Sequence, residues 1–372
     1  MKPRRVRQDR VSRKRSRAGI ALVIVMISIF VLTVLAAGFA FSMKVETQLA
    51  VHANNETELQ WLGRSGVQYA RWVLSLQGSC PMEPYDALSQ PWATGLPSGL
   101  CATNGGLAEV RSEVHLGHGY FTWKITDLER KWNINTANEF LLQQALLLMG
   151  VDPSEMTPVI NSILDWIDPD DNQRIQGTES EYYQSLEPPY EAKNGPIDDL
   201  SELLLIRGVT QDLYWGSAST NHSMAVFQAR ANRPGFPNQR PISSAGLADL
   251  FTPISGLGTK VNINTASADV LQLIPGIDAR AAEAIVGART GEDDGSGLTG
   301  PFRSIDANYI FTRVPILPLP LARQVSQFTD VRSRSFDVEV TAHVAGSERT
   351  FHALLFRVSP RDVQTLNFYW RY

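Results

Sequence analysis

The densest set of chemically capable side chains is ILDWIDPDDNQRIQGTESEYY, residues 163–183. Counted from Asp168, oxygen-bearing side chains fall at position 1 (Asp168), 3 (Asp170), 5 (Asn172) and 12 (Glu179), with Ile175 at 8. Alternating oxygen donors closed by a final glutamate let a loop wrap a large, hard cation. Position 6 is Gln173 where a calcium loop takes glycine, so the match to an EF-hand is partial. Two other readings stay open. One is a solvated acidic turn. The other is a Mg²⁺ nuclease centre, which needs a base and cationic clamps, and only Arg174 offers itself. Asp165 lies three residues before Asp168, on one face of a helix that Pro169 must end or kink.

Other chemistry is sparse. His115 and His118 are close, but no cysteine, histidine or clear carboxylate completes a zinc set. There is no nucleophile elbow, phosphate-binding loop or CxxC. The two cysteines, Cys80 and Cys101, sit in a Pro/Gly-rich segment. They read as a disulfide if that segment is outside the cytoplasm, and otherwise as two free thiols.

The elements that must position these groups follow from periodicity. Helices are expected over 139–149, 157–167, 198–206 and 210–214, with two short ones in 260–289. Alternating β-branched and aromatic residues predict strands over 109–114, 120–128, 335–344, 350–358 and 365–372. Asn133-Ile134-Asn135-Thr136-Ala137 recurs as residues 262–266, each copy ahead of an apolar helical run. Asn or Thr there is expected to supply N-cap chemistry. The second copy opens VNINTASADVLQLIPGIDARAAEAIVGAR, which resembles a helix-hairpin-helix, a module that often binds DNA. Its hairpin reads Pro275-Gly276-Ile277-Asp278, so a carboxylate stands where a phosphate would. Glu292-Asp293-Asp294 follow.

Charge argues the same way. Residues 1–19 carry nine Lys/Arg and one acid, leaving 25 basic against 37 acidic residues, net −12, in the rest. No nucleic acid partner is expected of such a body. Beyond the basic flank, 20–43 is 24 residues without a charge. As a helix it is about 36 Å long, enough to cross a bilayer. The flank places the N-terminus in the cytoplasm and the remainder outside. Leu59, Leu62, Gly66, Tyr69, Val73 and Leu76 then form one apolar stripe, with Asn55, Glu58, Arg64, Gln68 and Arg71 opposite.

Arg17-Ala18-Gly19 followed by Ile20-Ala21-Leu22-Val23-Ile24 resembles the type III leader of prepilins and pseudopilins. The resemblance implies cleavage after Gly19 by prepilin peptidase, with Ile20 as the new, methylated N-terminus. Most of that family has glutamate at mature position five. Here it is Ile24, which suits a subunit with no neighbour above it, at a fibre tip. The stretches LGRSGVQYARWVL, DWIDPDD and EPPYEAKNGPIDDLSELLLIRGVT, with the NINTA element, resemble the K class of type II secretion pseudopilins. That family implies Ca²⁺ near Asp165, Asp168, Asp170, Asp171 and Glu179.

The expected fold is α+β and pilin-like: a long N-terminal helix packed on an antiparallel sheet that is interrupted by an inserted all-helical domain. The expected division is a leader over 1–19, a transmembrane part over 20–43 and a periplasmic continuation of the helix over 44–80. A linker with the first strands follows over 81–138, then a helical insertion over 139–255. The helix-hairpin-helix unit and the last strands take 256–372. The implied role is structural, not enzymatic: a single-pass inner-membrane minor pseudopilin, its bulk periplasmic. It would start and cap the pseudopilus with the other minor pseudopilins and the major one, aiding export of folded proteins. The alternative is a membrane-anchored, pilin-like DNA-binding protein using the helix-hairpin-helix segment. A membrane-anchored metal-dependent enzyme is a further rival.

Overall fold

The computed structural model describes residues 18–102, 106–216, 244–291 and 295–370; the side chains of 18–19 and 51–54 are not described. The basic residues before Ala18 and the acidic run 292–294 lie outside the described residues. Helix α1 covers Ala18–Gly78. The chain divides into two compact units, up to Glu58 and from Leu59 onward. In the first, the apolar side chains of residues 20–49 are exposed to their surroundings. Among the described residues this is the one helix long and apolar enough to cross a membrane.

In the second unit, the α1 residues Leu59, Leu62, Val67, Ala70, Val73 and Leu74 are buried against a sheet. The helix approaches closely because its contact face carries glycine. A Cβ on Gly63 would overlap the Phe351 ring, and one on Gly66 would overlap Val340. Gly63→Val is therefore expected to cost about 1–3 kcal/mol through overpacking, read as a lowered denaturation midpoint. An unchanged midpoint would mean that the helix can lift off the sheet without cost.

The sheet is antiparallel. Its strands are β1 (Glu113–Leu116) and β2 (Gly119–Asp127), then β7 (Ser335–Val344), β8 (Ser347–Ser359) and β9 (Asp362–Trp370), in spatial order β1-β2-β7-β8-β9. β7 matches the sequence expectation. β1 starts later than expected, because residues Gly106–Glu109 form a 3-10 turn. The β7–β8 hairpin turns on Ala345 (φ 48°) and Gly346 (φ 82°), left-handed conformations that suit a two-residue turn. β2 and β7 pair from Gly119↔Val344 to Asp127↔Phe336. The chain therefore leaves the sheet at Asp127 and re-enters beside the same point, and everything between is an insertion.

That insertion has its own core, running from Trp132 through Ile163, Tyr183 and Leu250 to Ile285 and Val325. Helices Glu139–Leu148, Pro153–Ile167, Ala279–Arg289 and Leu319–Phe328 contribute to it. The division expected at 255/256 falls inside this single core: the helix-hairpin-helix unit packs with the helical insertion, and only the last strands belong to the sheet. Helices Ala307–Arg313 and Leu319–Phe328 were not evident from the sequence.

The insertion is built twice on one plan. Strand β3 (Trp132–Asn133) leads into the first NINTA copy and pairs in parallel with β4 (Phe251–Thr252). Strand β5 (Val261–Asn262) leads into the second and pairs in parallel with β6 (Thr329–Asp330). Each copy holds two helices joined through a left-handed glycine and an aspartate cap. In the first, Gly150 (φ 73°) precedes Asp152, which accepts from the Ser154 N–H. In the second, Gly276 (φ 81°) precedes Asp278, which accepts from the Ala281 N–H at 2.8 Å.

Asn133 caps the short 3-10 helix Ile134–Thr136, while the α-helices that follow the two copies are capped by Asn138 and Ser267. Asn133 and Asn262 accept from the N–H of Asn135 and Asn264, both at 2.9 Å. Asn135 then clamps Ile197 with a pair of hydrogen bonds, donating to its C=O (2.9 Å) and accepting from its N–H (2.7 Å). Asn264 clamps Phe302 with the same pair, 2.9 Å and 2.7 Å. A primary amide offers a donor and an acceptor side by side, as a backbone strand edge does.

Candidate acidic site and relatives

Helix Pro153–Ile167 delivers Asp165 from its last turn, and Asp168 is the residue at its C-terminal cap. Asp165 is fully buried. Its Oδ2 accepts from the Thr178 N–H (2.8 Å) and the Arg174 N–H (3.2 Å). The Arg174 guanidinium bridges Asp165 Oδ1 (3.2 Å) and Asp168 Oδ2 (2.6 Å). Gly177 has no alternative residue here, since a Cβ would overlap the Asp165 carboxylate. Burial raises the Asp165 pKa, and these hydrogen bonds oppose the rise.

Glu179 enters from the far side of the loop, just before helix Ser180–Gln184. It is 5% exposed, and neither carboxylate oxygen has a hydrogen-bond partner. Burial, then repulsion from Asp165, Asp168, Asp171 and Asp170, raises its pKa to about 7. Asp168 Oδ1 and Asn194 Oδ1 are also buried without partners. Asp171 Oδ1 receives the Ser180 N–H (3.4 Å) and the Asn194 amide (3.5 Å); the Ser180 hydrogen bonds lower its pKa. Behind the loop stand Trp166, Tyr183 and Tyr190, ring against ring.

The loop thus brings Asp165, Asp168, Asp171 and Glu179 together. Asp170 is exposed and receives the Asn172 N–H at 2.9 Å, so positions 3 and 5 of the EF-hand pattern close a turn. The left-handed residue is Gln176 (φ 62°) rather than Gln173. Among the described residues, no three His, Cys, Asp or Glu side chains are already gathered as a metal-ligand set. The donor chemistry nevertheless fits a hard divalent cation: Asp168, Glu179 and Asn194 carry four buried oxygens without a hydrogen bond, three of them on carboxylates, around a loop with further acids. Asn194 was not singled out from the sequence, being fifteen residues beyond Glu179; its left-handed backbone (φ 48°) before Gly195 is the local signal.

Elsewhere, Cys80 and Cys101 are joined as a disulfide. His115 lies on the exposed hairpin with its Nε2 2.9 Å from Glu113. In the helix-hairpin-helix unit, Asp278 fills the helix N-terminus with its own carboxylate, which leaves that end unsuited to a phosphate.

A helix that is long and apolar enough to cross a membrane in its first half, with the residues from Leu59 packed on an antiparallel sheet, gives a pilin-like fold. Residues 125–216 match the model of type II secretion system (T2SS) protein K, and 257–306 match the helix-hairpin-helix motif. Type II secretion system protein K of Pseudomonas aeruginosa PAO1 is 25% identical over 283 residues, covering 74% of this chain and 73% of that one. The putative type II secretion system protein K of Escherichia coli K12 is 26% identical over 209 residues, covering 53% and 59%. The crystal structure of the GspK-GspI-GspJ complex from enterotoxigenic E. coli aligns with TM-score 0.56 at 18% identity, covering 87% of this chain and 99% of that one, and shows the same fold. The chain is thus similar to type II secretion system protein K, through the match over 125–216 and through relatives that align with up to 74% of its length.

Proposed function

We propose that this protein is a minor pseudopilin at the tip of a type II secretion pseudopilus, where it starts assembly and aids export of folded proteins. The observation that carries the reading is α1: an uncharged membrane-length run continues into a helix seated through Gly63 and Gly66 on the sheet. Ile24 keeps a carboxylate out of that run, where an unpaired one is costly. The partners are other minor pseudopilins, as in the complex of GspK with GspI and GspJ, and the major pseudopilin. Cleavage after Gly19 would leave Ile20 as the N-terminus, with the leader cytoplasmic and the sheet periplasmic. The role is structural rather than enzymatic.

Intact mass and N-terminal sequencing of the membrane-extracted chain, with and without prepilin peptidase, test the reading. The expected product begins at Ile20 and appears only with the peptidase. An uncut chain in both samples overturns it.

The acidic site would hold Ca²⁺, with Asp165, Asp168, Asp170, Asp171 and Glu179 as the candidate carboxylates and Asn194 as a carbonyl donor. The ion would supply positive charge where unpaired oxygens are buried, fixing the loop against helix Pro153–Ile167.

A further inference from the structure

We propose that the junction between the sheet and its helical insertion is a proton-dependent lock centred on Asp127. The insertion leaves the sheet at Asp127 and returns at Ser335, and the two strands of chain are tied together there by buried acids. Asp127 Oδ2 accepts from the hydroxyls of Thr265 (2.5 Å) and Ser333 (2.7 Å) and the amide of Asn262 (3.3 Å). Its Oδ1 accepts from the Glu129 N–H at 2.9 Å. One carboxyl thus joins the outgoing chain, the returning chain and the second NINTA copy.

Two more carboxylates crowd it. Glu129, on the outgoing turn, accepts from the N–H groups of Gly256 (2.7 Å), Arg334 (2.9 Å) and Ser335 (2.9 Å). Asp86, from the segment after α1, accepts from the Ser333 N–H (2.9 Å) and pairs with Arg357 of β8 (2.7 Å). Asp86, Asp127 and Glu129 are at most 1% exposed, and Arg357 is 5% exposed. Arg357 is the one cation in contact with the cluster among the described residues. Three buried negative charges facing one positive charge are not all tolerated, so a proton is retained. Burial first, then the Glu129 and Asp86 charges, raises the Asp127 pKa to about 8.

The sign follows. The closed junction holds the Asp127 proton, and an opened one releases it to water at the ordinary carboxylate range, about 4. Opening therefore becomes easier as pH rises from about 4 to about 8, by up to tenfold per pH unit, and levels off above. Asp127→Asn is neutral at every pH. Its Oδ1 keeps the Glu129 N–H, and its NH₂ is able to donate to the two hydroxyls, which turn to accept; the long hydrogen bond from the Asn262 amide is lost, and that amide keeps the Asp86 carbonyl (3.0 Å) and the Ser333 hydroxyl (2.8 Å).

The test is amide hydrogen exchange of the full chain in detergent micelles at pH 6–8, corrected for intrinsic exchange. The amides of Glu129, Gly256, Ser333 and Ser335 report the junction, and those of Val338 and Val340 report the sheet. In the wild type, the opening of the junction is expected to rise at least about tenfold over this range, with the sheet amides steady. Asp127→Asn is expected to flatten the rise to less than about threefold. A wild-type profile that does not change with pH overturns the lock without any variant. An equal rise in Asp127→Asn overturns the assignment to Asp127.

Discussion

Calcium added to the full chain in detergent is expected to raise its thermal midpoint, and Glu179→Gln is expected to remove that rise. The reason is the unsatisfied state of Glu179. Both of its oxygens are buried without a hydrogen bond, and four aspartates push its proton affinity up. A bound divalent ion would reverse each of these penalties at once, since it supplies positive charge and coordinates bare oxygens. At a free concentration about 100 times Kd, binding to the folded state stabilises by about 2.7 kcal/mol. The midpoint should move by a few degrees. Mg²⁺ should move it less, because it dehydrates reluctantly and demands near-octahedral geometry. Glu179→Gln removes one unit of negative charge while keeping the shape. Equal calcium shifts in wild type and variant, or no shift in either, would remove Glu179 from any cation site.

The second large effect concerns Asn264. Asn264→Ala is expected to destabilise the fold by about 2–5 kcal/mol, read as a lower denaturant midpoint. Its amide is 2% exposed and satisfies both backbone groups of Phe302, itself fully buried. Truncation strands a buried N–H and a buried C=O, each costing about 1–3 kcal/mol. Asn135→Ala removes the equivalent pair at Ile197 but should cost less, because Asn135 is only partly buried and water reaches the freed groups. The ordering of the two variants is the sharp part. If Asn135→Ala proved the more damaging, burial would not be what sets the strength of these clamps.

Sequence alone determined a good deal. The uncharged run and the stripe from Leu59 marked α1, because helical periodicity and a charge-free length are local properties. Alternation marked β7 at its observed bounds, and the left-handed pair at 345–346 closed the hairpin beside it. The spacing in residues 165–179 marked an acidic loop before any contact was known. What the sequence left open depended on groups far apart in the chain. The helix-hairpin-helix segment joined the helical core rather than the sheet, because its apolar face meets residues more than a hundred positions earlier, as in the hydrogen bond from Trp132 Nε1 to the Val270 carbonyl. Of the NINTA asparagines, Asn133 caps a 3-10 helix, whereas Asn135 and Asn264 proved to be clamps on Ile197 and Phe302, since a primary amide serves either use and only the partner decides. Asn194 offered only the Asn-Gly pair it forms with Gly195, and the Asp86–Asp127–Glu129 cluster carried no local signal. A carboxyl reads as solvated until the fold closes over it, and the cost of its charge exists only once water has been excluded.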